Sequence, residues 1–268
     1  TIDKESIIKN NVVSPKQYDS IVPYIDIDIK GRALYKNRLM MLDLIANNNW
    51  KRPIYFSGGA YDDEDFLWMK NYLQLDGMTY KLVPIKTEIP KDASPLEMGG
   101  IDTDKMYANV MKWDWGNSES LSIYHDPETR KNSITYRSYL SRLMNQLILE
   151  GKKEKAKNII TLAMNKMPLE QFGYYSLLEP FAKGYYDLGE NAKAQDLLSK
   201  LILKYKENLK YYSSLTPSDQ TSLAIDIITD IERYRSLLIV MKESGDVTFY
   251  NKNKAQFNTY VSIFERFG

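Results

Sequence analysis

Slid against itself by 38 residues, the C-terminal half of the chain repeats: LEGKKEKAKNIITLAMNKM falls on DLGENAKAQDLLSKLILKY. Gly151 then meets Gly189, Ala156 meets Ala194, Ile159 meets Leu197, and Ile160 meets Leu198. Upstream, Leu143 meets Phe181 and Leu147 meets Tyr185. Each copy reads as a helix, a tight turn at the glycine, and a second helix whose small alanine lets the pair approach closely. A single hairpin of this kind cannot bury its apolar face alone, so its neighbours must stack on it. This one feature excludes most folds for the second half of the chain.

The logic is that of a tetratricopeptide-like hairpin, whose usual period is about 34 residues. The extra residues fit the loop MPLEQFG. A third hairpin over Ser218 to Phe267 reads as a divergent cap, because Gly245 and Ala255 are too far apart to match the other two copies. The expectation is a helical repeat domain over 133–268. The segment 87–132 is punctuated by Pro90, Pro95, Gly99, Gly100 and Gly116 and has weak periodicity. It reads as an irregular connecting region with one short helix around DKMYANVMKW, packed on what precedes it.

Residues 1–86 read as a small α/β domain. In VPYIDIDIK, Ile25, Ile27 and Ile29 share one face and Asp26 and Asp28 the other, the period-two pattern of a half-buried strand. ALYKNRLMMLDLIA is rich in helix formers, and PIYFS is a short run of β formers. The segment from Asp62 to Leu75 carries Phe66, Met69 and Leu73 on one helical stripe, with Gly77 as its stop, and TYKLVPI follows as a third strand. Strand, helix, strand, helix, strand implies two crossover units and a parallel sheet. The fold class expected is therefore α/β plus all-α: a small parallel-sheet unit followed by a tetratricopeptide-like helical-hairpin array.

Composition excludes several classes of function. There is no Cys, so neither disulfides nor thiolate chemistry arise, and one His, His125, rules out a site built on two imidazoles. With 36 Lys+Arg against 35 Asp+Glu, net charge gives no argument for nucleic acid. The most apolar stretch, SLAIDIITDIERYRSLLIVM, carries five charged residues and reads as a core helix rather than a membrane span. TIDKESIIKNN lacks the basic and apolar regions of a signal peptide, and a chain beginning with Thr reads as a piece of a longer protein or a processed one.

The stretch RPIYFSGGAYDDEDF ends a β-type run in Ser57-Gly58-Gly59 before an acidic helix start, a place where α/β proteins often hold phosphate. It has neither P-loop spacing nor G-x-G-x-x-G, and its acids would repel an anion. Asp63 and Asp65 have the D-x-D spacing of a divalent-metal site, but acids in a first helical turn already stabilise the helix dipole. Asp26 and Asp28 read as a solvated strand face, His125 as a surface loop residue, and Trp113 and Trp115 as anchors of an irregular loop. No catalytic residue, cofactor or resident metal is expected. On the first helix of each repeat lie Tyr136, Arg137, Tyr139, Arg142, Tyr174, Tyr175, Lys183 and Tyr186, side chains suited to binding hot spots. Those of them that are exposed are the candidates for a partner-binding surface.

KNRLMMLDLIANNNWKRPIYFSGG, LDGMTYKLVPIK, IDTDKMYANVMKWDWGN and the EGKKEKA and LGENAKA turns together resemble the C-terminal soluble portion of a bacterial family of multi-span membrane proteins. That family is related to protein O-mannosyltransferases, the polyprenyl-sugar-dependent glycosyltransferases of membranes. The resemblance runs from about Ile25 to about Lys206. It implies an accessory domain on the periplasmic side of the inner membrane, with catalysis in a membrane portion that these residues do not include. Its implied partners are the membrane-spanning portion of the same full-length chain and an acceptor polypeptide, not nucleic acid. Two other functions are open to the residues: a free-standing tetratricopeptide-like interaction module, and a metal-dependent nucleotide-sugar enzyme using Asp63 and Asp65.

Overall fold

The computed structural model describes residues 1–29, 33–57, 64–90 and 95–267. The chain is mixed α/β and mostly helical, and it divides into two compact units, Thr1–Gly116 and Asn117–Gly268. The boundary falls inside the segment expected to be a connection.

The first unit contains α1 (Lys4–Lys9), α2 (Lys36–Asn48), β1 (Tyr55–Ser57), β2 (Leu73–Asp76), β3 (Thr79–Leu82), β4 (Gly100–Ile101) and α3 (Thr103–Val110). The sheet runs β1-β3-β2-β4 and is mixed, not parallel. β1 pairs antiparallel with β3, β2 and β3 form an antiparallel hairpin, and only β4 runs parallel to β2. The expected crossover helix between PIYFS and TYKLVPI does not exist as such. Its first part is a 3-10 segment, Glu64–Tyr72, and its end is strand β2. The physical reason is Asp76-Gly77, a strong hairpin signal. Gly77 has φ +71° and turns the chain between the paired residues Asp76 and Thr79, so it closes a hairpin rather than ending a helix. Leu73, expected on a helical stripe with Phe66 and Met69, alternates with Leu75 along a strand.

Residues 22–29 do not form a ladder strand either. Residues 25–29 are irregular, and the isolated bridge among the described residues is the neighbouring Ile21 to Ile85. Helix α2 forms where expected, but none of its residues is buried. One core gathers Ile7, Val12, Val13, Ile21 and Val83. Gly99 shows how tightly β4 enters: a Cβ there would stand 2.1 Å from the carbonyl oxygen of Leu73.

The second unit is helical: α4 (Pro127–Leu149), α5 (Lys153–Lys166), α6 (Leu169–Phe172), α7 (Glu179–Asp187), α8 (Asn191–Ser213), α9 (Pro217–Ser222), α10 (Ala224–Glu243) and α11 (Val247–Ile263). α4 packs on α5, α7 on α8, and α10 on α11, with α7 also against α4 and α10. The three pairs turn in the same way. At Gly151, Gly189 and Gly245 φ is +73°, +77° and +77°. The glycine N–H donates back to the carbonyl of Ile148, Tyr186 or Lys242, and the next N–H donates to that of Leu147, Tyr185 or Met241. This double bond pattern is the Schellman cap, which needs a left-handed residue. Gly245 thus turns its pair as the two repeat glycines do, although the spacing of the third copy had set it apart. The repeat residues Leu143, Ala156, Ile159, Ile160, Phe181, Ala194, Leu197 and Leu198 are all buried.

Candidate functional site

The residues singled out from sequence do not form one surface. Arg137 and Tyr139 are fully buried and Tyr186 nearly so. Tyr136, Arg142, Tyr174 and Tyr175 are half-buried, and Lys183 is exposed and paired with Asp187 at 2.9 Å. Arg137 is a correction: it braces the fold and is not available to a partner. Its guanidinium donates to the carbonyls of Met167 (2.9 Å) and Gly173 (2.5 Å), across the MPLEQFG loop. Burial alone pulls its pKa down to about 10. Tyr186 donates its hydroxyl to Asp246 at 2.8 Å, and burial followed by that bond pushes its pKa up. His125, expected on the surface, is buried: Nε2 lies 2.8 Å from the Ser118 carbonyl and its ring lies against Phe172 at 4.5 Å. Asp63 lies outside the described residues, and of Asp65 the backbone alone is described. Among the described residues no group of three His, Cys, Asp or Glu could hold a metal ion.

The structure instead gathers polar side chains on one face of the small sheet. Cross-strand register aligns Tyr55 of β1 with Lys81 of β3 and Gln74 of β2. Two pairs along, Asp76 and Thr79 continue that face. Alternation sends Leu73, Leu75, Tyr80 and Leu82 to the other side, where all four are buried. Asp76 accepts from Tyr55 Oη (3.0 Å), Asn109 Nδ2 (2.6 Å) and Lys105 Nζ (3.0 Å), so α3 closes over the polar face. Lys81 is only 1% exposed and donates Nζ to the carbonyl of Asn11 at 2.8 Å.

Charge in this cluster is unevenly matched. Burial, followed by the charge of Lys105 and a hydrogen bond to it, pulls the Lys81 ammonium down to about 8. Burial also weighs against charge on Lys105, but the hydrogen bond and charge of Asp76 outweigh it and raise that lysine. Tyr55 is raised by burial and then by Asp76. Beside the cluster opens a cleft of about 600 Å³, lined by the loop 11–16, Gln74 and the start of α3 at Asp102, Asp104 and Lys105. Sequence reading passed over these residues. The signal was present in LQLD and TYKL, each with a long polar side chain between apolar residues at strand spacing.

The second unit holds a comparable cluster. Asp230, 5% exposed, accepts from Asn208 at 2.8 Å with Arg233 at 3.8 Å, and burial raises its carboxyl against both. Burial pushes the nearby Tyr205 phenol up to about 12, with Arg233 opposing and Glu179 and Tyr175 contributing. Glu179 also accepts from Ser236 at 2.7 Å.

Residues 1–105 match the family described as TMEM260-associated domain 2. No curated protein and no solved structure matches the chain. No helix among the described residues is long and apolar enough to cross a membrane. Over residues 1–105 the chain is thus similar to TMEM260-associated domain 2.

Proposed function

We propose that the chain is a non-catalytic accessory portion of a membrane-embedded, polyprenyl-sugar-dependent glycosyltransferase-like protein. It sits on the periplasmic side of the inner membrane, and its tetratricopeptide-like helical unit receives the acceptor polypeptide. The observation that carries this reading is the joining, in one chain, of a TMEM260-associated domain over residues 1–105 with helical hairpins that leave Tyr136, Arg142 and Tyr175 partly open. Half-open tyrosine and arginine side chains offer contact area with directed hydrogen bonds at little entropic cost. Tyr175 further belongs to the Tyr205, Glu179 and Arg233 cluster, a polar setting for an extended peptide.

The test is the double variant Tyr136→Ala/Tyr175→Ala in the full-length protein. Weakening of acceptor capture by about tenfold or more, with thermal stability kept, supports the reading. Unchanged capture together with unchanged transferase activity would remove the helical unit from substrate handling. A free-standing interaction module is separated by localisation, since it would fractionate away from membranes.

A further inference from the structure

Helix α2 has the composition of a core helix and no buried residue. Its stretch LMMLDLIA, residues 39–46, holds seven apolar residues and one acid. A helix apolar around most of its circumference is ordinarily enclosed. Here Met41, Leu42 and Ile45 are half-buried, while Leu39, Met40 and Leu44 are 57%, 56% and 68% exposed. Lys36, Met40 and Leu44 follow one another a turn apart, and Tyr35 and Leu39 form the adjacent ridge, so the exposed residues make one face. That face is held in place at both ends of the helix. Asn49 and Trp50 both take positive φ, +46° and +57°, and turn the chain as it leaves α2. Trp50 packs on the core around Ile7, and its carbonyl accepts from Asn10 Nδ2 at 3.1 Å. At the other end the Arg38 guanidinium lies 5.4 Å from the Tyr35 ring and 5.3 Å from the Trp68 ring.

Charge decides what covers the face. Residues 36–52 carry Lys36, Arg38, Lys51 and Arg52 against a single acid, Asp43, in a chain whose charges otherwise nearly cancel. Lys36, Lys51 and Arg52 are exposed, and none is in an ion pair among the described residues. A second copy laid on this face would bring like charges together. Anionic headgroups over acyl chains offer the opposite charge and an apolar layer at once. The helix is 13 residues long, about 20 Å, which is too short to cross a bilayer but suits a helix lying in its surface plane. Long lysine and arginine stems can then reach headgroups while the leucines point into the acyl boundary.

We propose that α2 docks on an anionic lipid surface, with Leu39, Met40 and Leu44 entering its apolar boundary and Lys36, Lys51 and Arg52 holding its headgroups. The inference rests on the membrane setting proposed above only for its place in the cell; the lipid contact is a property of the chain alone. It is separate from the acceptor reading of the helical unit. The Tyr136→Ala/Tyr175→Ala variant should therefore bind lipid unchanged, and either idea can fail alone.

The experiment is co-sedimentation of the 268-residue chain with two kinds of vesicle, phosphatidylcholine alone and phosphatidylcholine mixed in equal parts with phosphatidylglycerol. The expected result is binding to the anionic vesicles at least about tenfold tighter than to the neutral ones, weakened by salt. Leu39→Glu/Leu44→Glu should reduce that binding by about tenfold or more, and Lys36→Gln/Lys51→Gln/Arg52→Gln by a similar factor. Leu203→Glu, at an exposed leucine of the second unit, should leave it unchanged. If the leucine variant does not fold, as judged by its circular dichroism melt, the charge variant carries the test. No binding to anionic vesicles, equal binding to both kinds, or binding that survives both sets of substitutions would overturn the proposal. Self-association of the chain that disappears in Leu39→Glu/Leu44→Glu, without lipid binding, would overturn it in favour of a second copy.

Discussion

Two buried cations set the residue-scale behaviour of the molecule, and each has backbone carbonyls rather than a carboxylate as its immediate partner. Arg137 ties α4 to the loop before α7 through the carbonyls of Met167 and Gly173. Arg137→Met should cost about 3 kcal/mol in urea unfolding, because two buried acceptors lose a charged donor. A variant as stable as the parent would deny that bracing role. Lys81 gives a pH signature. Its amine titrates near about 10.4 in an unfolded chain and at about 8 in the fold. Between these values the unfolded state holds the proton and the folded state does not. Stability from this group therefore rises as pH climbs through that window, and the penalty is fully present below about 8. Measured from pH 7.5 to 9.5, the parent should gain stability relative to Lys81→Met, on the order of 2 kcal/mol. Parallel curves would show that the amine is not held neutral.

Elements are punctuated by glycines that do different work. Gly151, Gly189 and Gly245 each sit at positive φ with nothing within 4 Å of an added Cβ. Alanine at any of them pays only the left-handed backbone cost, about 1 kcal/mol apiece, and the three should add. Gly99 is both left-handed and crowded, since its Cβ would overlap the Leu73 carbonyl at 2.1 Å. Gly99→Ala should cost about 3 kcal/mol or more, because backbone must move. Equal losses at Gly99 and Gly151 in chemical denaturation would contradict this division. The caps also explain which copy of the repeat was legible. Helix lengths vary from pair to pair, but the capping geometry does not, so the third pair has its turn glycine without the 38-residue spacing.

At the scale of the whole molecule, the two units each have an interior. Leu140, Leu143, Met144, Leu147, Ile159, Ile160, Phe181 and Leu198 all come from the second unit and are fully buried. A fragment of residues 117–268 should therefore express alone, show a helical circular dichroism spectrum and melt cooperatively. A fragment lacking a cooperative transition would mean that its core is not self-sufficient. Leu39, Met40 and Leu44 are exposed together on α2, so charged residues in their place should raise the solubility of the first unit.

What the sequence determined by itself was local and periodic. A glycine followed by a small residue at fixed spacing dictates a capped helical hairpin, because both the turn and the close helix contact depend on neighbours a few residues away. The partners of strands were another matter. PIYFS, LQLD and TYKL look alike whether paired parallel or antiparallel, since alternation fixes which face is buried and not which neighbour is chosen. Asp76-Gly77 marks the β2–β3 hairpin locally, but tertiary structure decided that β1 adds antiparallel to β3 and that β4 runs parallel to β2. It also decided the polar sites. Arg137 is buried and Tyr136 is not, though both lie on one helix of similar pattern. Gln74, Lys81 and Asp76 become a cluster only when register places them side by side, and α3, remote in sequence, closes over them. Contacts of that range leave no trace in the spacing of residues, because register and packing are settled by the whole fold at once.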